Sequence, residues 1–193
     1  MIKNIKNNKG FTVVELIVTI GVIAVLAGYL IVYNKNSQAQ IILSLEQAKL
    51  VDALNTAKSL TLSTYIENFS SCGYGIYINY SNNSYEIFRY GQPPNCEAIA
   101  SSSLGSILSN SSYTKIKTIN LPKEVVFNTS GSNKLDAMFF IPPDPKILIW
   151  RDGSPNPITE NAQNYETYIY LKTKDNSMSK TIKINVAGQI SFN

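Results

Sequence analysis

The apolar positions of this chain fall into two regimes. From Leu16 to Val32, only Thr19, Gly21 and Gly28 interrupt a run of Leu, Ile, Val, Ala and Tyr. No charge stands between Glu15 and Lys35. A helix from Phe11 to Tyr33 would run roughly 33 Å, about one hydrocarbon thickness. This stretch is a transmembrane candidate. After the polar "NKNSQAQ", apolar residues return at spacings of three and four, at Ile41, Leu45, Ala48, Val51, Leu54, Ala57 and Leu60. No proline occurs before Pro93. The pattern therefore predicts one helix from about Phe11 to about Leu62, on the order of 75 Å long. Its first half is apolar all round. Its second half carries a single stripe that can lie on a soluble domain.

From residue 74 the period changes to two. "GIYINY" and "YEIFRY" flank "SNNS", which predicts a hairpin with Ile76, Ile78 and Tyr80 on one face. "SSSLGSILSNSSY", residues 101–113, is serine-rich and reads as a loop. "TKIKTINLP", "EVVFNTS", "AMFFIP" and "KILIW" read as strands, and "PPDP" as a stop for pairing. The end reads as strand, turn at "DNS", strand, turn at Gly188, short strand. The expected fold class is α+β: a long N-terminal helix packed on a C-terminal antiparallel β domain. The expected segments are 1–10, a polar leader; 11–33, the membrane helix; 34–64, its amphipathic continuation; and 65–193, the β domain.

Charge sharpens the membrane reading. The chain is +4 overall, and Lys3, Lys6 and Lys9 precede the apolar run with no acid among them. Removing those three from 17 basic residues leaves 14 against 13 acidic ones, a balance of +1. The basic flank predicts a cytoplasmic N-terminus and an exported C-terminal part. The remaining balance argues against nucleic acid as a partner.

Cys72 and Cys96 both lie in the exported part, just outside the two hairpin strands at their open end. An oxidising compartment permits a disulfide there. Closing that 24-residue separation is worth about 3 kcal/mol in the chain-entropy model. The alternative is two unpaired thiols. Two cysteines with no histidine anywhere make a poor zinc set.

Catalytic constellations are few. Without histidine, neither a Ser-His-Asp nor a Cys-His arrangement can form. There is no G-x-x-x-x-G-K-[ST] and no G-x-G-x-x-G. Asp144 and Asp152 flank a proline-rich turn and a strand, where a calcium site is conceivable, but solvated turn carboxylates are the simpler reading. No cofactor is expected. The twelve tyrosines read as cross-strand packing on half-buried strands. Gly21 and Gly28 are not four apart, so they form no G-x-x-x-G pair.

One acid remains to be explained. Glu15 enters a membrane-length helix five residues after Gly10, and a lone carboxylate there is costly. The stretch "KGFTVVELIVTIGVIAVLAGYLIVYN" resembles the N-terminus of type IV pilins and type II secretion pseudopilins. The matching elements are a short basic leader, Gly10, Phe11, Thr12, Glu15 and the apolar helix. The resemblance implies a pilin-like fold and a non-enzymatic structural subunit. It implies cleavage between Gly10 and Phe11 by a prepilin peptidase, which also N-methylates Phe11. It implies a subunit held in the inner-membrane lipid as a single-pass protein, C-terminal domain outside. An inner-membrane assembly platform would then draw it into a filament of other pilins or pseudopilins. Glu15 would pair with the Phe11 amine of a neighbouring subunit and specify axial register. The plainer reading is that Glu15 sits at the helix N-terminus as a charge favoured by the dipole.

The order of later elements resembles the H-type minor pseudopilins and the FimT-like minor pilins. Many major pilins carry a proline near the end of the apolar run, where this chain reads "LIVYN". Two alternatives stand beside the secretion or pilus subunit: a DNA-uptake (competence) pseudopilin, and a signal-anchored surface adhesin or enzyme.

Overall fold

The computed structural model describes residues 10–67, 71–91, 95–143, 146–158 and 165–192. The chain divides into two compact units, one ending at Ala39 and one beginning at Gln40. Helix α1, Val13–Glu67, contributes to both. It ends five residues beyond the expected boundary.

In the first unit, Val13–Leu30 is long and apolar enough to cross a membrane, and none of it is buried. The second unit sets α1 from Gln40 onward against two antiparallel sheets. The first comprises β1 (Gly73–Asn79), β2 (Ser84–Tyr90), β3 (Tyr113–Asn120), β5 (Leu135–Ile141) and β6 (Lys146–Arg151), in the order β3-β2-β1-β5-β6. The second comprises β4 (Val125–Phe127), β7 (Glu166–Thr173), β8 (Ser179–Asn185) and β9 (Ile190–Phe192), in the order β4-β7-β8-β9. The α+β class and the strands expected from period two are as anticipated.

The hairpin is in register from Gly73 opposite Tyr90 to Asn79 opposite Ser84. Its turn uses Asn83 in the left-handed region (φ 50°), which asparagine tolerates better than most side chains. The Asn83 amide also donates to the Val125 carbonyl at 2.8 Å, and its oxygen accepts the Phe127 N–H at 2.9 Å. One turn residue thereby ties the first sheet to β4 of the second.

The main core lies between α1 and the inner faces of both sheets. Leu43, Leu50, Leu54 and Ala57 meet Ile76, Ile78, Met138, Phe140, Ile169, Leu171, Ile182 and Ile184. Each fully buried leucine or isoleucine contributes about 1.5–3 kcal/mol. The expected helical stripe is only partly the buried one. Ile41 is 65% exposed and Leu45 51% exposed, and Ala48 is exposed too. The buried face instead runs through Leu43, Glu46, Gln47, Leu50, Ala53, Leu54, Ala57 and Thr61. Glu46 and Gln47 sit on that face because each finds a partner, as does Thr61, whose hydroxyl donates to the Ala57 carbonyl at 3.0 Å. Glu46 holds Lys49 at 2.7 Å, and the Gln47 amide donates to the Thr181 carbonyl at 3.2 Å.

A second core covers the back of the first sheet. It gathers Phe88, Phe139, Leu148 and Trp150 with Ile99 and Ile107. The last two come from a 3-10 turn, Asn95–Ser101, and a short helix α2, Leu104–Leu108. The serine-rich segment expected to be a loop therefore contains a helix. Ser103 caps it, its hydroxyl accepting the Ser106 N–H at 3.2 Å. Ile107 is buried beneath it. This cover explains the unbroken apolar runs of β5 and β6, which are buried on both faces.

Cys72 and Cys96 form a disulfide, their Cα atoms 5.1 Å apart. It ties the start of β1 to the 3-10 turn of the cover. Gly91 (φ +87°) lies against it: a Cβ at that position would stand 2.5 Å from the Cys72 sulfur.

Candidate functional site: the amino-terminal motif

The candidate site is a linear stretch at the start of α1. Gly10 is exposed, and a Cβ built on it meets nothing within 4 Å. Phe11 is 78% exposed. The peptide bond between them therefore stands clear of the described residues, as a cleavage site requires.

The helix begins at Val13, which makes Thr12 its cap and Glu15 its third residue. The Glu15 carboxylate accepts the Thr12 N–H at 3.0 Å and the Thr12 hydroxyl at 2.9 Å. The Thr12 hydroxyl in turn accepts the Glu15 N–H at 3.3 Å. This is a reciprocal capping box, which satisfies two helix-end donors that lipid could not. The sequence reading noted Thr12 but missed this role. The signal was present as T-x-x-E before an apolar run. Within the single chain, then, Glu15 has a partner, and that partner is its own cap. The pairing implied by the resemblance, with a neighbour's Phe11 amine, involves a second chain. Gly21 and Gly28 leave open helix surface, with nothing within 4 Å of a built Cβ.

Glu86 and Asp152 of the β domain have structural duties. On the back of the first sheet, Glu86 accepts from Lys115 at 2.6 Å and from the Tyr113 hydroxyl at 3.0 Å. Burial, then the bond to Glu86, raises the Tyr113 phenol well above its ordinary value. Asp152 accepts the Lys134 N–H at 3.0 Å in the turn after β6. Asp144, the other half of the conceivable calcium pair, lies outside the described residues, and no group of three or more metal-ligating side chains occurs among those described. The tyrosines pack across strands and layers: Tyr80 edge-on to Phe127, Tyr90 edge-on to Phe139, and Tyr168 stacked on Tyr170.

The family model for the prokaryotic N-terminal methylation motif matches residues 5–31. No curated protein and no solved structure matches the chain. The motif implies processing by a prepilin peptidase and assembly with other pilins. The chain is similar to type IV pilin-like proteins over this motif: a methylation motif at the head of an exposed apolar helix, in a chain that also folds an α+β domain, supports a type IV pilin-like subunit.

Proposed function

We propose that the chain is a minor pseudopilin or minor pilin, a structural subunit of a type II secretion pseudopilus or a related type IV pilus-like filament. The observation that carries this reading is the methylation motif over residues 5–31, set on a helix with no buried residue from Val13 to Leu30. Such a helix needs lipid before assembly and neighbouring helices after it. Residues 1–10 act as the leader and 11–33 as the membrane and filament-core segment. The peptidase cuts between Gly10 and Phe11 and methylates the new amine. Glu15 then exchanges its own Thr12 for the Phe11 amine of an adjacent subunit, which sets the axial register. The domain beyond residue 64 stays outside the inner membrane. Its order of elements, hairpin first and a three-stranded meander last, supports the H-type or FimT-like assignment.

The test is intact-mass analysis of membrane-extracted protein from cells with and without a prepilin peptidase. The expected product begins at Phe11 and carries one methyl group, and it requires the peptidase. A chain still beginning at Met1 in peptidase-positive cells overturns the processing claim.

A further inference from the structure

A cleft of about 460 Å³ opens on the first sheet, lined by α2, the end of β1 and the turn after β6. Leu104 and Leu108 of α2, the Tyr77 ring and Pro155 give it apolar walls. Asp136 of β5 lines it as well.

The carboxylate of Asp136 sets this cleft apart. Elsewhere in the domain, carboxylates that leave solvent take a lysine with them: Glu46 has Lys49 at 2.7 Å and Glu86 has Lys115 at 2.6 Å. Even the half-exposed Asp152 and Glu166 have Lys134 at 3.8 Å and Lys183 at 2.6 Å. Asp136 is half-buried and makes no ion pair among the described residues. Its Oδ2 accepts the Gly153 N–H at 2.6 Å. That leaves Oδ1 without a partner among the described residues. Burial pushes its carboxyl above the ordinary value, and the Gly153 bond and the charge of Lys134 only partly offset this. Beside it, the Tyr77 phenol is likewise raised by burial and by the charges of Glu86 and Asp136. A half-buried carboxylate whose second oxygen opens on the cleft attracts a cation, and the apolar walls around it select the shape of what can bring one.

We propose that this cleft binds a lysine or arginine side chain of a partner protein, the stem lying along Leu104, Leu108 and Pro155 and the cation on Asp136 Oδ1 against the Tyr77 ring. Long cationic side chains suit such a site because their stems cover apolar surface while their heads remain charged. A guanidinium or ammonium on a carboxylate makes a charge-assisted hydrogen bond, and an aromatic face adds attraction for the same cation. A neutral ligand would leave the carboxylate uncompensated. The inference stands independently of the filament reading, since it rests on the β domain alone.

The test is an NMR titration of the full chain, ¹⁵N-labelled and held in detergent micelles. The probes are acetyl-arginine amide, acetyl-lysine amide and the neutral isostere acetyl-citrulline amide. The expected result is saturable shifts at the Tyr77, Gly105 and Gly153 amides with the two cationic probes and none with citrulline. Asp136→Asn keeps an oxygen for the Gly153 N–H and should weaken binding by about tenfold, the size of one charge-assisted hydrogen bond. Gly105→Phe should abolish it. A Cβ on Gly105 meets nothing within 4 Å, so the ring can fill the cleft without displacing the fold. Unchanged Trp150 emission in each variant confirms that the domain is intact. Three outcomes each overturn the proposal: citrulline binding as well as arginine, no saturable shift with either cation, or full affinity in Asp136→Asn.

Discussion

Replacing Cys72 and Cys96 together with alanine removes a covalent closure while leaving the packing around it almost whole. The ladder already holds the two ends of the hairpin together, with Gly73 opposite Tyr90 and the Cys72 N–H donating to the Tyr90 carbonyl at 3.0 Å. The disulfide therefore adds little to the native contacts. Its effect falls on the unfolded chain, which it keeps from exploring open conformations. For a 24-residue separation the chain-entropy model gives about 3 kcal/mol. In a domain of this size, each kcal/mol moves the midpoint by about 2–4 °C, so the expected fall in Tm is about 6–12 °C. The assay follows thermal unfolding by circular dichroism and by the emission of Trp150, the only tryptophan. Trp150 is fully buried in the second core, its indole N–H donating to the Ser102 carbonyl at 3.3 Å. Its native emission should be unchanged in the variant. A fall in Tm below about 3 °C would refute the entropic argument. So would a red-shifted emission before heating, because it would mean that the disulfide, and not Ile99 and Ile107, holds the cover in place.

Three other outcomes can be checked directly. Glu15→Gln keeps an acceptor for the Thr12 N–H but loses the charge, so it should form a normal helix yet, like Glu15→Ala, should fail to enter filaments; wild-type incorporation of the glutamine variant, scored in sheared surface fractions, would reduce Glu15 to a helix cap. Leu54→Ala removes a fully buried side chain between α1 and the sheets and should cost about 2–5 kcal/mol in urea unfolding, with a loss under about 1 kcal/mol contradicting the packing. Asp136 should titrate above 3.8 by carboxyl NMR. The folded chain then takes up this proton more readily than the unfolded one. Its contribution to stability is present in full below 3.8 and is lost as pH rises through the folded value. Asp136→Asn should flatten that part of the stability profile.

How far the sequence reaches depends on whether a feature is local. The motif is local: Gly10, Phe11, Thr12 and Glu15 lie within six consecutive residues, so the methylation motif and the T-x-x-E pattern of the cap stand in the chain itself. The apolar span is local too, since lipid demands a run and not a pattern of partners. Strand periods and the "SNNS" turn were legible because the pleat and the left-handed asparagine are properties of a few adjacent residues. The buried stripe of α1 was not. Ile41, Leu45 and Ala48 repeat as regularly as Leu43, Leu50 and Leu54, and hydrophobicity alone would hardly place Glu46 and Gln47 inside. Their partners decide it, and the Thr181 carbonyl lies 134 residues away in the chain. The cover over the first sheet was hidden for the same reason. A serine-rich segment becomes a helix because Phe139 and Trp150 leave a back face to be buried, and Ser103 supplies the cap. Asp136 is the clearest case. Along the chain it is one acid two residues from Lys134, whereas in the fold Lys134 pairs with Asp152 and Asp136 lines a cleft with no ion-pair partner among the described residues.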